Sequence, residues 1–572
     1  LEVGIMGRSN NDGFSRRSFL KYGSAASVGA IFAGCTGNQE TDATTNESGN
    51  NTTETTAGGD GTTSGNQDGT EFNYVTTVTP SSLDPMKGSD NLETILLHNV
   101  YDPLLYYSDT TPPELQSWLA ESYSVSEDGR TYTFNLNGDA TFHNGDQVTA
   151  SDVKYSVQRM MDMGNGFSWM WSGVLSPENV EAVDETTVRM TTDDVFAPFL
   201  YTLPFLYIVN QKQIEEHAKS DGQYGDNGDY GTAWLEENDA GSGPYELTNR
   251  DRKREIVIES HDDWWGTFPH DQNGYEVVTT EMVQEAATAA GRMREGAQMS
   301  DQWLPLQTYN DLADSDGVRV HAKATFNPFY VYMHTQREPL NDVHVRRAIS
   351  YAFDYEAALN DVMSGDSDHL QGPLPSAMWS HTEDLPTYGK DLEAAQAELD
   401  QSDYSASDLD LNYTYVSGLT VEQNMGLLLQ SNLQELGASV SVNKAPWSKI
   451  TEMASSKEST PDMLAIYLSF SYADPDTFLY PAWHSDSHGS WTSAAWYQND
   501  EVDQLLTEGR RTVSQEDRIP IYEEAQRLIA EDAPALFVMN QATRNALATS
   551  VKGFKDNGIT GYRQTFHRYY QG

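Results

Sequence analysis

An excess of acidic side chains limits what this chain can fold into more than any other feature. It carries 86 Asp and Glu against 35 Lys and Arg, a formal charge of −51 over 572 residues. Self-repulsion on that scale opposes compaction, and low hydrophobicity with high net charge ordinarily keeps a chain unfolded. Here 12 Trp, 31 Tyr and 19 Phe supply a large apolar reserve. The expectation is therefore a folded body with an acid-coated surface. That surface disfavours nucleic acid and anionic membranes as direct partners, since both are polyanions. Lys is the scarcer of the two bases, and hydrated carboxylates suit a protein that works in molar salt, where screening shortens to about 3 Å. A merely acidic protein at ordinary salt is the alternative. The length suggests about three or four structural units. The lone cysteine rules out an intramolecular disulfide.

The acids are unevenly placed. Ser15-Arg16-Arg17-Ser18-Phe19-Leu20-Lys21 has the twin-arginine export pattern, with Arg16 and Arg17 as the export signal. The apolar run Tyr22 to Ala33 is too short to span a bilayer and has signal-peptide length. Phe32-Ala33-Gly34-Cys35 resembles a lipobox, so Cys35 is expected to carry a lipid that anchors the protein to the outer face of the cell membrane. The residues before Met6 read as an upstream extension. Residues 36–70 are rich in Thr, Gly and Asn, lack Lys and Arg, and show no hydrophobic period, which predicts a disordered tether. Asn46, Asn50 and Asn51 begin glycosylation acceptor triplets, a weak signal in Thr-rich sequence.

In the body, Arg130 to Asn137 alternates, with Tyr132, Phe134 and Leu136 on one face, and predicts a half-buried strand after an Asp128-Gly129 turn. Thr149 to Asp152 reads as a capping box for a helix burying Val153, Val157, Met160 and Met161. Strands are expected at Glu255 to Glu259 and Phe329 to Met333. Helices are expected around Val345, Ala348, Ile349, Ala352 and Phe353, around Val502, Leu505, Leu506 and Gly509, and around Ile521, Ala525 and Leu528. Interleaved strands and helices predict an α/β protein.

Several segments, in a characteristic order, make the chain similar to extracytoplasmic solute-binding proteins of family 5, the dipeptide/oligopeptide-binding type that serves ABC importers. They are Leu83-Asp84-Pro85, Val100-Tyr101-Asp102-Pro103-Leu104-Leu105, Leu119 to Gly129, Thr141-Phe142-His143-Asn144-Gly145, Gly241-Ser242-Gly243-Pro244-Tyr245, Trp264-Trp265-Gly266, Pro339 to Asp354, Gly372-Pro373, and Tyr472 to Leu479. With the export signal, the whole resembles a haloarchaeal lipoprotein of that kind. The resemblance covers residues 71–572. It implies a periplasmic-binding-protein-like α/β fold of type II in its large family 5 form, with two hinged lobes and an extra subdomain in the first. Lobe I would use 71–325 plus 539–572, and lobe II 326–538, after the signal at 1–35 and the tether at 36–70.

The resemblance also implies a monomer that captures peptides and delivers them to permease subunits with an ATPase, without catalysis or cofactor. The ligand residues it points to are Phe470, Ser471, Tyr472, Asp474 and Trp379, with Asp474 in the place of an acid that pairs with a peptide's α-amino group. This sequence departs from the family there, because its loop is shorter and Asp474 belongs to the Asp-Pro step itself. A turn-forming role for Asp474 and a non-peptide solute, such as a metal complex or oligosaccharide, therefore stay open. Arg346 and Arg347 read either as ligand contacts or as structural ion pairs. Trp447 and Trp483 read as pocket aromatics or packing. His484 and His488 have the spacing of a metal pair but sit in loop-like sequence, and no metal site is expected. The loop at Asp226 to Gly231 lacks a closing Glu for calcium. No nucleophile elbow or phosphate loop occurs, leaving a surface sensor or a secreted hydrolase as the remaining alternatives. If Cys35 is the anchor, Cys35→Ser moves the protein from the membrane fraction into the medium; retention in membranes on fractionation refutes the anchor.

Overall fold

The computed structural model describes residues 71–572 apart from 111, 270–273, 301–302, 366, 469–471 and 556–563. Its centre is an antiparallel ladder between two long strands, Val318–Met333 and Ala535–Ala548. The first is rich in Val, Tyr and Phe, which fill a pleated and covered surface, and the second buries Leu536, Phe537, Val538, Met539, Ala546 and Leu547 against it. Outward from Ala535–Ala548 run Met299–Ser300, Glu71–Thr76, Val277–Met282, Glu255–Ser260 and Tyr245–Asp251. Outward from Val318–Met333 run Met463–Tyr467, Asp410–Val416 and Ser439–Ala445. The two wings pair with opposite ends of the ladder. Met299–Ser300 pairs with Ala546 and Leu547, whereas Met463–Tyr467 pairs with Phe329 to Met333. The chain crosses between wings only along these two strands. Their register slips between residues 324 and 330, at Pro328 and beside Asn327. Proline donates no ladder bond, so the pairing is interrupted where the wings join. Asn327 N–H is instead taken by the Asn540 side chain at 3.1 Å, and Thr325 Oγ1 donates to Gln541 O at 2.9 Å.

The first wing carries an inserted subdomain, a four-stranded antiparallel sheet ordered Ala120–Val125, Thr131–Leu136, Thr187–Thr191, Val180–Ala182. Tyr132, Phe134 and Leu136 are buried in it, as the alternation predicts. The helix Ala150–Met163 opens with Thr149 Oγ1 donating to Asp152 Oδ2 at 2.6 Å and Thr149 N–H to the same oxygen at 3.0 Å. Val153, Val157 and Met160 are buried there, but Met161 is only half-buried. The helix Val343–Ala352 buries Val345, Ala348, Ile349 and Ala352, with Phe353 as its C-cap. The helix Asp500–Arg511 buries Val502, Leu506 and Gly509.

Two local expectations are corrected. In the helix Gln515–Asp532 the buried stripe is Arg518, Tyr522, Ala525, Gln526 and Ile529, while Ile521 and Leu528 lie at its edge. Counting apolar residues missed it because two of its members are polar and become buried by pairing. Arg346 is buried rather than on a polar face. It donates to Asp532 O through Nε and Nη2 (2.9 and 2.6 Å) and to Leu340 O at 2.9 Å, while Arg347 Nε donates to Glu531 O at 2.8 Å. Both arginines thus satisfy the last carbonyls of the helix Gln515–Asp532, and their partners are carbonyls rather than carboxylates.

Close backbone approach explains the Gly241-Ser242-Gly243 segment. A Cβ on Gly241 would lie 2.0 Å from Val100 O, and one on Gly243 2.6 Å from Val100 C. The Leu83-Asp84-Pro85 step is held differently. Arg159, from the subdomain helix, donates to both Asp84 oxygens at 2.7 and 2.6 Å, with both side chains fully buried. Removing one partner leaves a buried charge, which costs about 3–5 kcal/mol. Arg159→Met should lower the urea midpoint by a corresponding amount, and the added change Asp84→Ala should recover part of it; additive losses would show that the pair is not coupled.

Candidate functional site

The three strands of the second wing, Ser439–Ala445, Asp410–Val416 and Met463–Tyr467, are mutually parallel. Ligands of open α/β sheets bind outside the carboxyl ends of such strands. Past these ends lie the helix Thr420–Leu436, the helix Trp447–Ala454 and the turn Tyr472–Asp476. Facing them is the strand Leu105–Tyr107 of the first wing, and the seam between is the candidate site.

The turn is built on its two carboxylates. Asp474 is fully buried and accepts from Arg518 Nη1 and Nη2 at 2.7 and 2.6 Å, while its Oδ1 also accepts Asp476 N–H at 2.9 Å. Arg518 further donates to Gly509 O and Tyr522 Oη, both at 2.8 Å, and lies 5.0 Å from the Trp379 ring. Burial works against the Arg518 charge, and the Asp474 carboxylate beside it more than offsets this, holding the guanidinium above its ordinary range. Asp476 accepts from Arg510 Nε and Nη2, each at 2.9 Å, and from the Tyr472 hydroxyl at 2.7 Å. Two arginines from the C-terminal helices therefore clamp an Asp-Pro-Asp step that would otherwise be a loose loop.

Of the residues expected to bind ligand, Tyr472, Asp474 and Trp379 come together, but their polar atoms are engaged internally. The Trp379 indole donates to Ala473 O at 3.3 Å. Asp474 is turned into the wing and spanned by Arg518, so its geometry is that of a turn anchor rather than a presented amine partner. Phe470 and Ser471 lie outside the described residues. Trp483 is fully buried in the core, and Trp447 is half-buried against Trp491, with rings 5.2 Å apart. His484 Nε2 faces Thr507 Oγ1 at 3.1 Å and His488 Nε2 faces Tyr497 O at 2.7 Å, so each ring has its own partner. Among the described residues no group of three or more metal-ligating side chains converges, and no helix is long and apolar enough to cross a membrane.

The first wing contributes Tyr107, whose hydroxyl donates to Tyr201 O and accepts Ala473 N–H at 2.9 Å across the seam. Its neighbour Tyr106 stacks on Trp118, with rings 4.4 Å apart. Trp118 in turn donates to Asp102 at 2.7 Å, as do Trp265 at 2.9 Å and the Ser242 hydroxyl at 3.0 Å. Burial raises Asp102 to about 6 against the pull of these three donors. One buried carboxylate thereby ties three of the sequence motifs to the strand that carries Tyr107. Sequence reasoning missed Tyr107, Arg510 and Arg518, because their partners lie hundreds or tens of residues away.

Comparison with known proteins agrees with this architecture. Residues 114–490 match the family model described as bacterial extracellular solute-binding proteins, family 5 middle. The chain is 29% identical over 483 residues to the "Probable D,D-dipeptide-binding periplasmic protein" of Escherichia coli K12, covering 84% of this chain and 90% of that one. It is 25% identical over 483 residues to heme-binding protein A of Haemophilus influenzae, covering 80% and 84%. The fold superposes on the Helicobacter pylori ABC transporter-associated periplasmic binding protein in complex with the peptide STSA. The TM-score is 0.69 at 23% identity, over 88% of this chain and 98% of that one.

Glu422, in the first turn of the helix Thr420–Leu436, is buried beside the strand ends, where its Oε2 accepts Val416 N–H at 2.8 Å. Burial lifts its carboxyl to about 8, only partly opposed by that bond. The folded chain then holds a proton that the unfolded chain releases near the ordinary carboxylate value. Its stabilising contribution is complete below that value and is lost as pH rises toward 8, on the order of 1.4 kcal/mol per pH unit. Glu422→Gln should flatten this part of the melting-temperature profile between pH 5 and 8; parallel profiles for the two proteins would refute the assignment.

Proposed function

The chain belongs to family 5 of the bacterial extracellular solute-binding proteins, and from that membership we propose that it captures di- or oligopeptides in the seam between its wings. Proteins of this family are substrate-binding components of ABC importers rather than enzymes. The relative named for D,D-dipeptides and the fold neighbour holding the peptide STSA support peptides as the class. The observation that carries the reading is the two-strand crossing at residues 324–330 and 540–541, with parallel strand ends on one side facing Tyr107 on the other. Lobe I is taken as 71–325 plus 539–572 and lobe II as 326–538. An extended peptide between them would use main-chain hydrogen bonds for affinity and leave its side chains in wet pockets. Closure would favour the loaded form for delivery to the permease. We also assign Cys35 as the lipid anchor, residues 36–70 as its tether, and a monomer as the working state.

A second reading is a non-peptide solute. It is favoured by Asp474, whose carboxylate is taken by Arg518 and is not presented to an amine; the heme-binding relative shows that the family's ligands extend beyond peptides. Titration calorimetry at molar salt with a panel of di- to oligopeptides should show saturable heat. No heat across the panel removes the peptide reading, and native mass spectrometry of the protein from its own host then identifies the retained solute.

A further inference from the structure

The seam is closed by more than the ligand turn. Arg510, near the end of the helix Asp500–Arg511, is fixed by Asp476 within its own wing and packs 3.4 Å from the centre of the Tyr480 ring. The Phe196 ring of the opposite wing lies 5.4 Å from the same guanidinium. Beside it, Ala197 N–H donates to Arg510 O at 2.8 Å. Next to that, Arg511 pairs with Asp194 at 2.7 Å, both side chains 57% exposed. Just beyond the helix, Val513 is 51% exposed and touches the opposite wing at the Asp128-Gly129 turn. A Cβ on Gly129 would lie 2.4 Å from its Cγ2.

We infer that this corner is a closure latch, in which the Phe196–Ala197 edge of the subdomain closes on Arg510 and locks the wings together. The contacts of Gly129, Asp194, Phe196 and Ala197 join residues 128–197 to residues 510–513, and the described chain joins the wings covalently only at the two-strand crossing. Opening about that crossing must therefore separate Phe196 and Ala197 from Arg510, while the Arg510–Asp476 pair stays within its own wing. Asp476 is also the acceptor for the Tyr472 hydroxyl, and Ala473 meets Tyr107. Latch and ligand turn thus share the five-residue segment Tyr472–Asp476, and closure positions both together. The chemistry suits concentrated salt. An exposed pair such as Arg511–Asp194 is screened there, whereas a cation held on aromatic faces by a buried carboxylate keeps its attraction. The inference rests on the two-lobed capture reading above, but its readout needs no ligand.

The test is hydrogen–deuterium exchange of the segment 194–201, together with small-angle scattering, on the ligand-free full chain at molar salt. Phe196→Leu should raise exchange of that segment roughly threefold to tenfold, the range expected for losing one such contact, and should increase the radius of gyration. Val513→Trp, a wedge at an exposed position that leaves the core untouched, should do the same. Asp194→Asn should change neither at molar salt. Exchange that rises only in Phe196→Leu, with Val513→Trp unchanged, is local loosening of the subdomain and overturns the latch. So does an unaltered scattering profile in both variants. Peptide calorimetry stands apart. A chain that binds no peptide but opens in both variants keeps the latch and loses the peptide class, and the converse result keeps the peptide class alone.

Discussion

Everything in this molecule hangs on the pairing of Val318–Met333 with Ala535–Ala548. Along the described residues the chain passes between the two wings only in this ladder, and its regular pairing is interrupted where they meet. A continuous ladder would make one rigid sheet. Pro328 and the side-chain bonds of Asn540 and Thr325 replace regular pairing with a few local contacts, which is where bending costs least. The parallel strand ends of one wing can then face Tyr107 of the other.

Arginine organises what the ladder leaves loose. The chain has few basic residues, and several of the arginines are spent inside. Arg159 holds Asp84, Arg518 holds Asp474, Arg510 holds Asp476, and Arg346 and Arg347 close the end of the helix Gln515–Asp532. A bidentate guanidinium in a dry site fixes direction as well as charge, which an ammonium does not. Such pairs are weak evidence for net stability, since desolvation offsets much of the attraction. What they do fix is geometry, because each leaves one arrangement of the turn in which no charge is stranded. The acidic surface and these buried pairs also respond differently to salt. Screening relaxes the repulsion among exposed carboxylates and scarcely reaches the pairs inside.

Much of the fold was legible in the residues. The strand at Thr131–Leu136, the capping box at Thr149 and the helices at Val345 and Val502 follow from local rules of period and capping, and all occur. The shift of the buried stripe in Gln515–Asp532 was not legible, because burying Arg518 becomes favourable only once Asp474 arrives from 44 residues away. The same fact decided the site. The family resemblance grouped Tyr472, Asp474 and Trp379, and they lie together in the structure, but their polar atoms are taken by Asp476, Arg518 and Ala473 O respectively.

The sequence by itself therefore determined the α/β class, the order of its elements and the acidic balance. These depend on composition, periodicity and short-range caps, which act within about one turn or one strand. Only the tertiary structure decided that Asp474 and Asp476 are turn anchors held by Arg518 and Arg510, and that Tyr107 and Phe196 reach across to Ala473 and Arg510. The reason is that a buried charge takes its role from whichever partner desolvates with it, and here those partners come from distant parts of the chain.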